Sequence, residues 1–214
     1  GFSSHTPRLV DVANAAIESR RFDVMMIAYH HGIWPEIGDV IARARDEADL
    51  GVVAMKTLKG AKHRGLREVA DVADAYSQAA LKWALSNGDV SSAIISFFEP
   101  QHVDEYLHAS GRPLEPGDLA LLDRYDALTA GTHCAPHCGA CLDACPAGLP
   151  IHDVLRFRMY FEDYGWEKEG MRQYARLGDA NASACASCPA PCAGTCPLDI
   201  DIRTRMAEAH HLLT

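Results

Sequence analysis

The sequence predicts an α/β fold built on a parallel sheet, followed by a smaller, mostly helical domain. Three observations carry this expectation. Strand-like and helix-like segments alternate over the first 130 residues, all eight cysteines come after them, and those cysteines form two blocks of four offset by 51 residues.

The first part alternates as follows. "GFSSH" reads as the exposed end of a strand. Thr6 as N-cap and Pro7 at the first helical position open a helix in which Val10, Ala13, Ala16 and Ile17 recur at helical spacing. "FDVMMIAYH" is a buried strand, and Pro35 opens a second helix with Ile37, Val40, Ile41, Ala44 and Ala48 on one face. "GVVAMKTL" follows as a strand. A helix from about Leu66 to Ser86 carries Val69, Val72, Ala73, Tyr76, Ala80 and Trp83; "SSAIISFF" is the next strand and "PQHVDEYLHAS" the next helix. Strands that are apolar throughout, alternating with helices, imply a parallel sheet covered on both faces. Such a sheet fits half of a doubly wound fold or half of a barrel, and periodicity does not choose between them.

Composition bounds the partners. With 20 basic against 29 acidic residues the chain carries a formal charge of -9, which argues against nucleic acid or an anionic membrane. The apolar runs "VMMIA" and "AIISFF" fall far short of the roughly 20 residues that span a bilayer, and no signal-peptide pattern opens the chain. A soluble, cytoplasmic protein is expected. Gly1 stands where a Met would begin a gene, so a missing N-terminal portion is expected too.

The first cysteine block is Cys134, Cys138, Cys141 and Cys145 with Pro146 after it; the second is Cys185, Cys188, Cys192 and Cys196 with Pro197 after it. "CPAGLPIHDVL" lies over "CPLDIDIRTRM", each with an isoleucine, Ile151 or Ile202, six positions past the last cysteine. Neighbours two or three residues apart are better placed to share a metal than to close long loops as disulfides. Three cysteines close together, three intervening residues and a final Cys-Pro resemble the ferredoxin run, in which the fourth thiolate serves a second cluster. The gaps here are three, two, three and two, three, three, one residue longer in each loop than the usual run. The leading expectation is two [4Fe-4S] clusters. Structural zinc held by four thiolates and disulfides are the alternatives, and His133 or His137 could replace a thiolate at the first site.

Between the blocks, residues 151–179 are rich in helix formers, which points to the helical rather than the small β class of ferredoxin domain. Val154, Leu155, Phe157, Met159, Tyr160 and Phe161 are expected to cover the clusters and exclude water. This domain is assigned to residues 129–214.

The segments "GFSSH", "FDVMMIAYH", "GVVAMKTLKG" and "ALKWALSNGDVSSAIISFFEPQHVDEYL" resemble, in order and spacing, the last half of the aldo/keto reductase barrel. The resemblance covers residues 1–128 and implies a partial (β/α)8 TIM barrel, its late strands only, with a site at their C-terminal ends. It implies NAD(P), with Ser3 and Ser4 at the carboxamide and Tyr29 and His30 at the next strand end. Lys56, in an otherwise apolar strand, is a further pocket candidate because its amine should reach the strand end. The family's catalytic tetrad sits on early strands that precede Gly1, so no catalytic residue is assigned. Met26 stands where relatives have a glutamine, and Glu99, after Phe97 and Phe98, opposes a 2'-phosphate, leaving NADH or no nucleotide. Lys59, Lys62, His63, Arg64 and Arg67 read as a solvated face, and His5, His30 and His31 as ordinary loop histidines.

Joined, the parts imply a nicotinamide-linked oxidoreductase of small carbonyls or alcohols. Hydride carries two electrons, a cubane takes one, and no flavin motif divides the pair. The clusters would then exchange electrons with a redox partner protein or serve the structure. Two rivals stand beside this reading: an electron-transfer or interaction module with a non-catalytic barrel, and a zinc-stapled structural domain.

Overall fold

Four short strands run parallel in the order β1 (Phe2–Ser4), β2 (Val24–Ala28), β3 (Gly51–Met55), β4 (Ser92–Ala93). The computed structural model describes residues 1–59, 70–135 and 137–214. Leu66 and Val69 of the expected third helix, and Lys62, His63, Arg64 and Arg67, lie outside the described residues. Between the strands come α1 (Leu9–Ser19), α2 (Glu36–Ala48) and α3 (Ala70–Ser86); α4 (Gln101–Leu107) and α5 (Pro116–Thr129) follow β4. Sequence neighbours are sheet neighbours throughout: Ser3 stands opposite Met26, Met26 opposite Val53, and Val53 opposite Ser92. The strand order never reverses, so the sheet lacks the switch point of a doubly wound fold.

Side chains alternate across the pleat. Met25, Ile27, Val52 and Ala54 are buried in one cluster with Leu9, Ala13 and Ile17 of α1 and Ile37, Val40 and Ile41 of α2. Each large aliphatic chain so buried stabilises by about 1.5–3 kcal/mol. Their neighbours Met26, Val53 and Met55 are only half-buried and Val24 is exposed. One face of the sheet is thus well covered and the other is not, whereas the apolar strands had implied cover on both.

Element edges differ from expectation for local reasons. Helix α1 starts at Leu9, because residues 6–8 form a turn in which the Thr6 carbonyl accepts from Leu9 N–H at 3.0 Å. The run "SSAIISFF" makes a strand of only two residues: β3 ends at Met55, and Lys56 with φ 61° turns the chain away, leaving nothing to pair beyond Ile94. Ile94, Phe97 and Phe98 are about half exposed, and Phe97 packs edge-on against Tyr106.

Helix α5 is tied to α3 twice. Lys82 Nζ bonds both Asp118 carboxylate oxygens at 3.0 and 3.1 Å, and Tyr76 stacks on Tyr125 with ring centroids 3.6 Å apart. Compact units divide after Asp126, within the last turn of α5; the second comprises Ala127–Thr214.

That second unit contains α6 (Ile151–Glu162), α7 (Glu167–Ala175) and α8 (Ile202–Leu213), with short 3-10 helices at Ala182–Ala186 and Pro191–Gly194. Its core joins Leu149, Ile151, Val154, Leu155, Tyr174, Ile202, Met206 and Leu213 to Cys141 and Cys192. Gly170 lets α7 close on α6, since a Cβ there would come within 2.7 Å of the Phe157 carbonyl oxygen. No helix among the described residues is long and apolar enough to cross a membrane.

Candidate metal centre

The cysteines lie in loops whose course is set by a few polar contacts. Asn181 accepts from Ser183 N–H at 2.9 Å to begin the 3-10 turn that carries Cys185. The buried Tyr174 hydroxyl accepts from Ala182 N–H at 2.9 Å and lies 2.7 Å from His210 Nδ1, which fixes that turn to α7 and α8. Asp201 caps α8 through Thr204 N–H at 3.1 Å. Ala190 and Asp199 hold left-handed backbone conformations, with φ 57° and 54°, that bend the loop around Cys192 and Cys196. Gly131, φ 72°, passes beside the Leu198 and Asp199 carbonyls, where a Cβ would stand 3.7 and 3.5 Å from their oxygens. The approach to the first cysteine block therefore runs against the exit from the second.

The thiols are buried to different degrees, Cys141 and Cys192 most of all. Burial pushes the Cys134 thiol up to about 12, with Cys138, Cys141 and Cys196 adding repulsion. Burial likewise pushes Cys141 up to about 11, and Cys138 and Cys196 are its strongest thiol neighbours, ahead of Cys192. Cys185 is raised by burial and then by Cys145, Cys192 and Cys188; Cys192 is raised by burial and then by Cys145 and Cys188. Cys145, the last cysteine of the first block, lines one cavity with Cys185, Cys188 and Cys192 of the second.

This cavity is small and open at its mouth, and its remaining walls are mostly apolar and include Pro146, Leu149, Ile151, Ile202 and Met206. The two isoleucines at the repeated position, Ile151 and Ile202, face the same space. Beside Cys134 a separate, smaller and more open cavity is lined by Thr132, His133, Leu155, Arg158, Met159 and Asp163, among others. His133 Nδ1 lies 2.8 Å from Thr132 Oγ1, and His137 is buried within the first block. Among the described residues no three His, Cys, Asp or Glu side chains converge as ligands of a single ion.

Four thiols around an apolar cavity suit a metal-containing group and poorly suit a polar organic ligand. Thiolates are needed to bind metal, and the raised thiols are neutral near pH 7 in this state, so binding would release protons. Of the helical residues expected to shield the site, Val154 and Leu155 are buried in the cysteine core, Phe157 and Phe161 pack against it, and Met159 lines the smaller cavity. Tyr160 packs instead against Tyr164 and Trp166.

The nicotinamide candidates lie at the C-terminal ends of the strands, Ser3 and Ser4 within β1, Tyr29 and His30 just past β2 and Lys56 just past β3, yet their side chains part company. Ser3 is exposed and Ser4 buried, on opposite faces of the pleat. Tyr29 is buried, with its ring 4.8 Å from Trp83 and its hydroxyl accepting from Asn87 Nδ2 at 3.1 Å. His30 is buried and donates from Nδ1 to the His31 carbonyl at 2.8 Å, and Lys56 is exposed in the turn after β3.

Sequence reasoning missed a charged cluster at this same end of the sheet. Asp126 accepts from His31 Nδ1 at 3.0 Å and from Lys59 Nζ at 2.6 Å. Burial pulls the Asp126 carboxyl upward, but these two hydrogen bonds and charges outweigh it and hold the group below the usual carboxylate value. Lys59 is thus an anchor and not part of a solvated face, and His31 a partner of α5. The residues stand 67 and 95 positions from Asp126, beyond any local pattern.

Comparison with protein-family models, with curated proteins and with solved structures finds no match.

Proposed function

We propose that this chain is the electron-carrying portion of a nicotinamide-linked, aldo/keto reductase-like oxidoreductase, holding two [4Fe-4S] clusters in its second unit. The observation that carries the reading is the grouping of Cys145, the last cysteine of the first block, with Cys185, Cys188 and Cys192 around one apolar cavity, since in two-cluster ferredoxin runs the fourth cysteine of one block serves the other cluster. The apolar walls of that cavity support it, since a dry shell tunes a cluster's potential and keeps water from it. When bound, such clusters supply one-electron transfer. The chain's own residues provide eight thiolates, an isoleucine-lined shell, and loops pinned by Tyr174, Asn181 and Asp201.

Support for the late strands of a barrel comes from the sheet. Its strands follow one another without reversal, α1 and α2 cover one face, and Met26, Val53 and Met55 leave the other half-open. A barrel sheet has this connectivity, with helices outside and a packed interior. Small carbonyls or alcohols are the proposed substrates of the whole enzyme, and a one-electron protein its redox partner.

A second reading is favoured by a specific observation. Tyr29, His30 and Ser4 are buried, and Tyr29 is already packed on Trp83. Under that reading the sheet unit binds no nucleotide and the protein is an electron-transfer module.

Anaerobic purification followed by iron and acid-labile sulfide analysis tests the first point. About eight irons and eight sulfides per chain are expected for two cubane clusters. Stoichiometric zinc without sulfide would overturn both readings in favour of a zinc-stapled domain. Titration with NADH and NADPH then separates enzyme from module: saturable binding that weakens in Ser4→Ala supports the enzyme, and no binding supports the module.

A further inference from the structure

The cavity that Cys145 shares with Cys185, Cys188 and Cys192 has an inner wall and an outer rim. Leu149, Ile151, Ile202 and Met206 line it and are buried, as is Cys192. Pro146, Ala147, Ala184 and Arg203 line it and are exposed, while the other three cysteines are intermediate in burial. The rim is electropositive. Among the described residues Arg203 is the one charged side chain in the lining, and no Asp or Glu joins it. The positive ends of two peptide dipoles also point at the sulfurs: Leu149 N–H donates to Cys145 Sγ and Ala190 N–H to Cys188 Sγ, each at 3.4 Å. Arg205, two positions further along α8, is paired with Glu208 at 3.5 Å. Arg203 forms no such ion pair among the described residues; Asp201, two positions before it, feels its charge but is engaged as the α8 cap with Thr204 N–H at 3.1 Å.

We propose that the mouth of this cavity is the chain's electron port, and that Arg203 docks there an acidic one-electron carrier protein. The inference rests on the reading that these four thiols hold a [4Fe-4S] cluster. The exposed rim is the side from which a carrier reaches the sulfurs without crossing the buried apolar wall. A guanidinium suits a carboxylate partner, because its planar fork can give two parallel N–H···O bonds to one acidic side chain. The chain as a whole carries -9, so an acidic carrier is repelled over most of the surface and is accepted where the local charge is positive. One exposed cation on an acidic protein therefore acts on where the carrier lands. In the step itself one electron passes between the group held by the thiols and the carrier; what one loses the other gains, and no thiolate bond is made or broken.

The test uses two small oxidants of opposite charge as probes, the anionic cobalt(III)–EDTA complex and the cationic hexaamminecobalt(III) ion. The full chain is purified anaerobically, its iron and sulfide are measured, and the dithionite-reduced protein is reoxidised by each probe in stopped flow at an ionic strength of about 10 mM, where charges act over tens of ångströms. Arg203→Glu should slow the anionic probe by at least about threefold and speed the cationic one, and both differences should vanish in about 0.5 M salt. Arg203→Lys should keep the wild-type rates within about twofold, and Arg203→Gln gives the same direction at a smaller size should the glutamate variant fail to fold. Arg8→Glu, an exposed position on the sheet unit with the same change of net charge, should leave the ratio of the two rates near that of the wild type. Equal changes for both probes, no change in Arg203→Glu, or an equal change in Arg8→Glu overturns the port while the cluster reading stands. Absence of iron and sulfide overturns the cluster reading, and this inference with it.

Discussion

The two units are built on different terms. In the sheet unit, strands and helices satisfy their own backbone groups, and the core of Met25, Ile27, Ile41 and Val52 is apolar throughout. In the unit Ala127–Thr214, two of the core positions are Cys141 and Cys192, and the cysteines sit in loops and 3-10 turns with few ladder hydrogen bonds. The first unit carries its stability in regular structure. The second has six cysteines in and around its core, and under the proposed metal reading it would gain folding free energy from what they bind.

That contrast can be broken at four points. The largest effect is expected from stripping metal. Chelation under mild acid should abolish the cooperative unfolding of the cysteine unit and leave that of the sheet unit, seen as two calorimetric transitions reduced to one. A single transition that survives stripping unchanged would contradict the division.

Next comes Tyr125→Ala, which removes one half of the buried Tyr76–Tyr125 stack. A cost of about 3–5 kcal/mol is expected from large-to-small truncation of a core aromatic. Urea titration should show the loss in the sheet unit, with iron content unaltered.

Gly170→Ala probes the other unit without touching a thiol. Its methyl group would meet the Phe157 carbonyl at 2.7 Å, and separating α6 from α7 should cost about 1–3 kcal/mol. The calorimetric transition of the cysteine unit should move down while that of the sheet unit stays.

The smallest effect concerns pH. The Asp126 carboxyl is held below its ordinary value despite burial, so its contribution is fully present above the unfolded carboxylate range and is lost as pH falls below it. Asp126→Asn should cost about 1 kcal/mol near neutrality, allowing for the partial exposure of the pair, and should flatten the acid loss of stability of the sheet unit below the ordinary carboxylate range. Unfolding midpoints of both proteins across that range settle the point.

What could be read from the sequence follows a physical rule. Buried faces at helical spacing, such as Ile37, Val40, Ile41 and Ala44, announce themselves because neighbours along the chain share one environment. The cysteine blocks do so because the ligand loop is local. The short β4 could not be foreseen from "SSAIISFF": an apolar run does not reveal that its partner strand turns away at Lys56. Nor could the Asp126 cluster, whose members meet only after the sheet forms. Tyr174 was equally silent, since its hydroxyl serves a turn eight residues on and a histidine in α8.

The place of Cys145 among the thiols of the second block has a consequence for biosynthesis. Under the proposed cluster reading, a nascent chain that has emerged only through Cys145 cannot complete the site that Cys145 lines, because Cys185, Cys188 and Cys192 are still to come, and a ribosome-stalled intermediate of that length should leave this site unloaded.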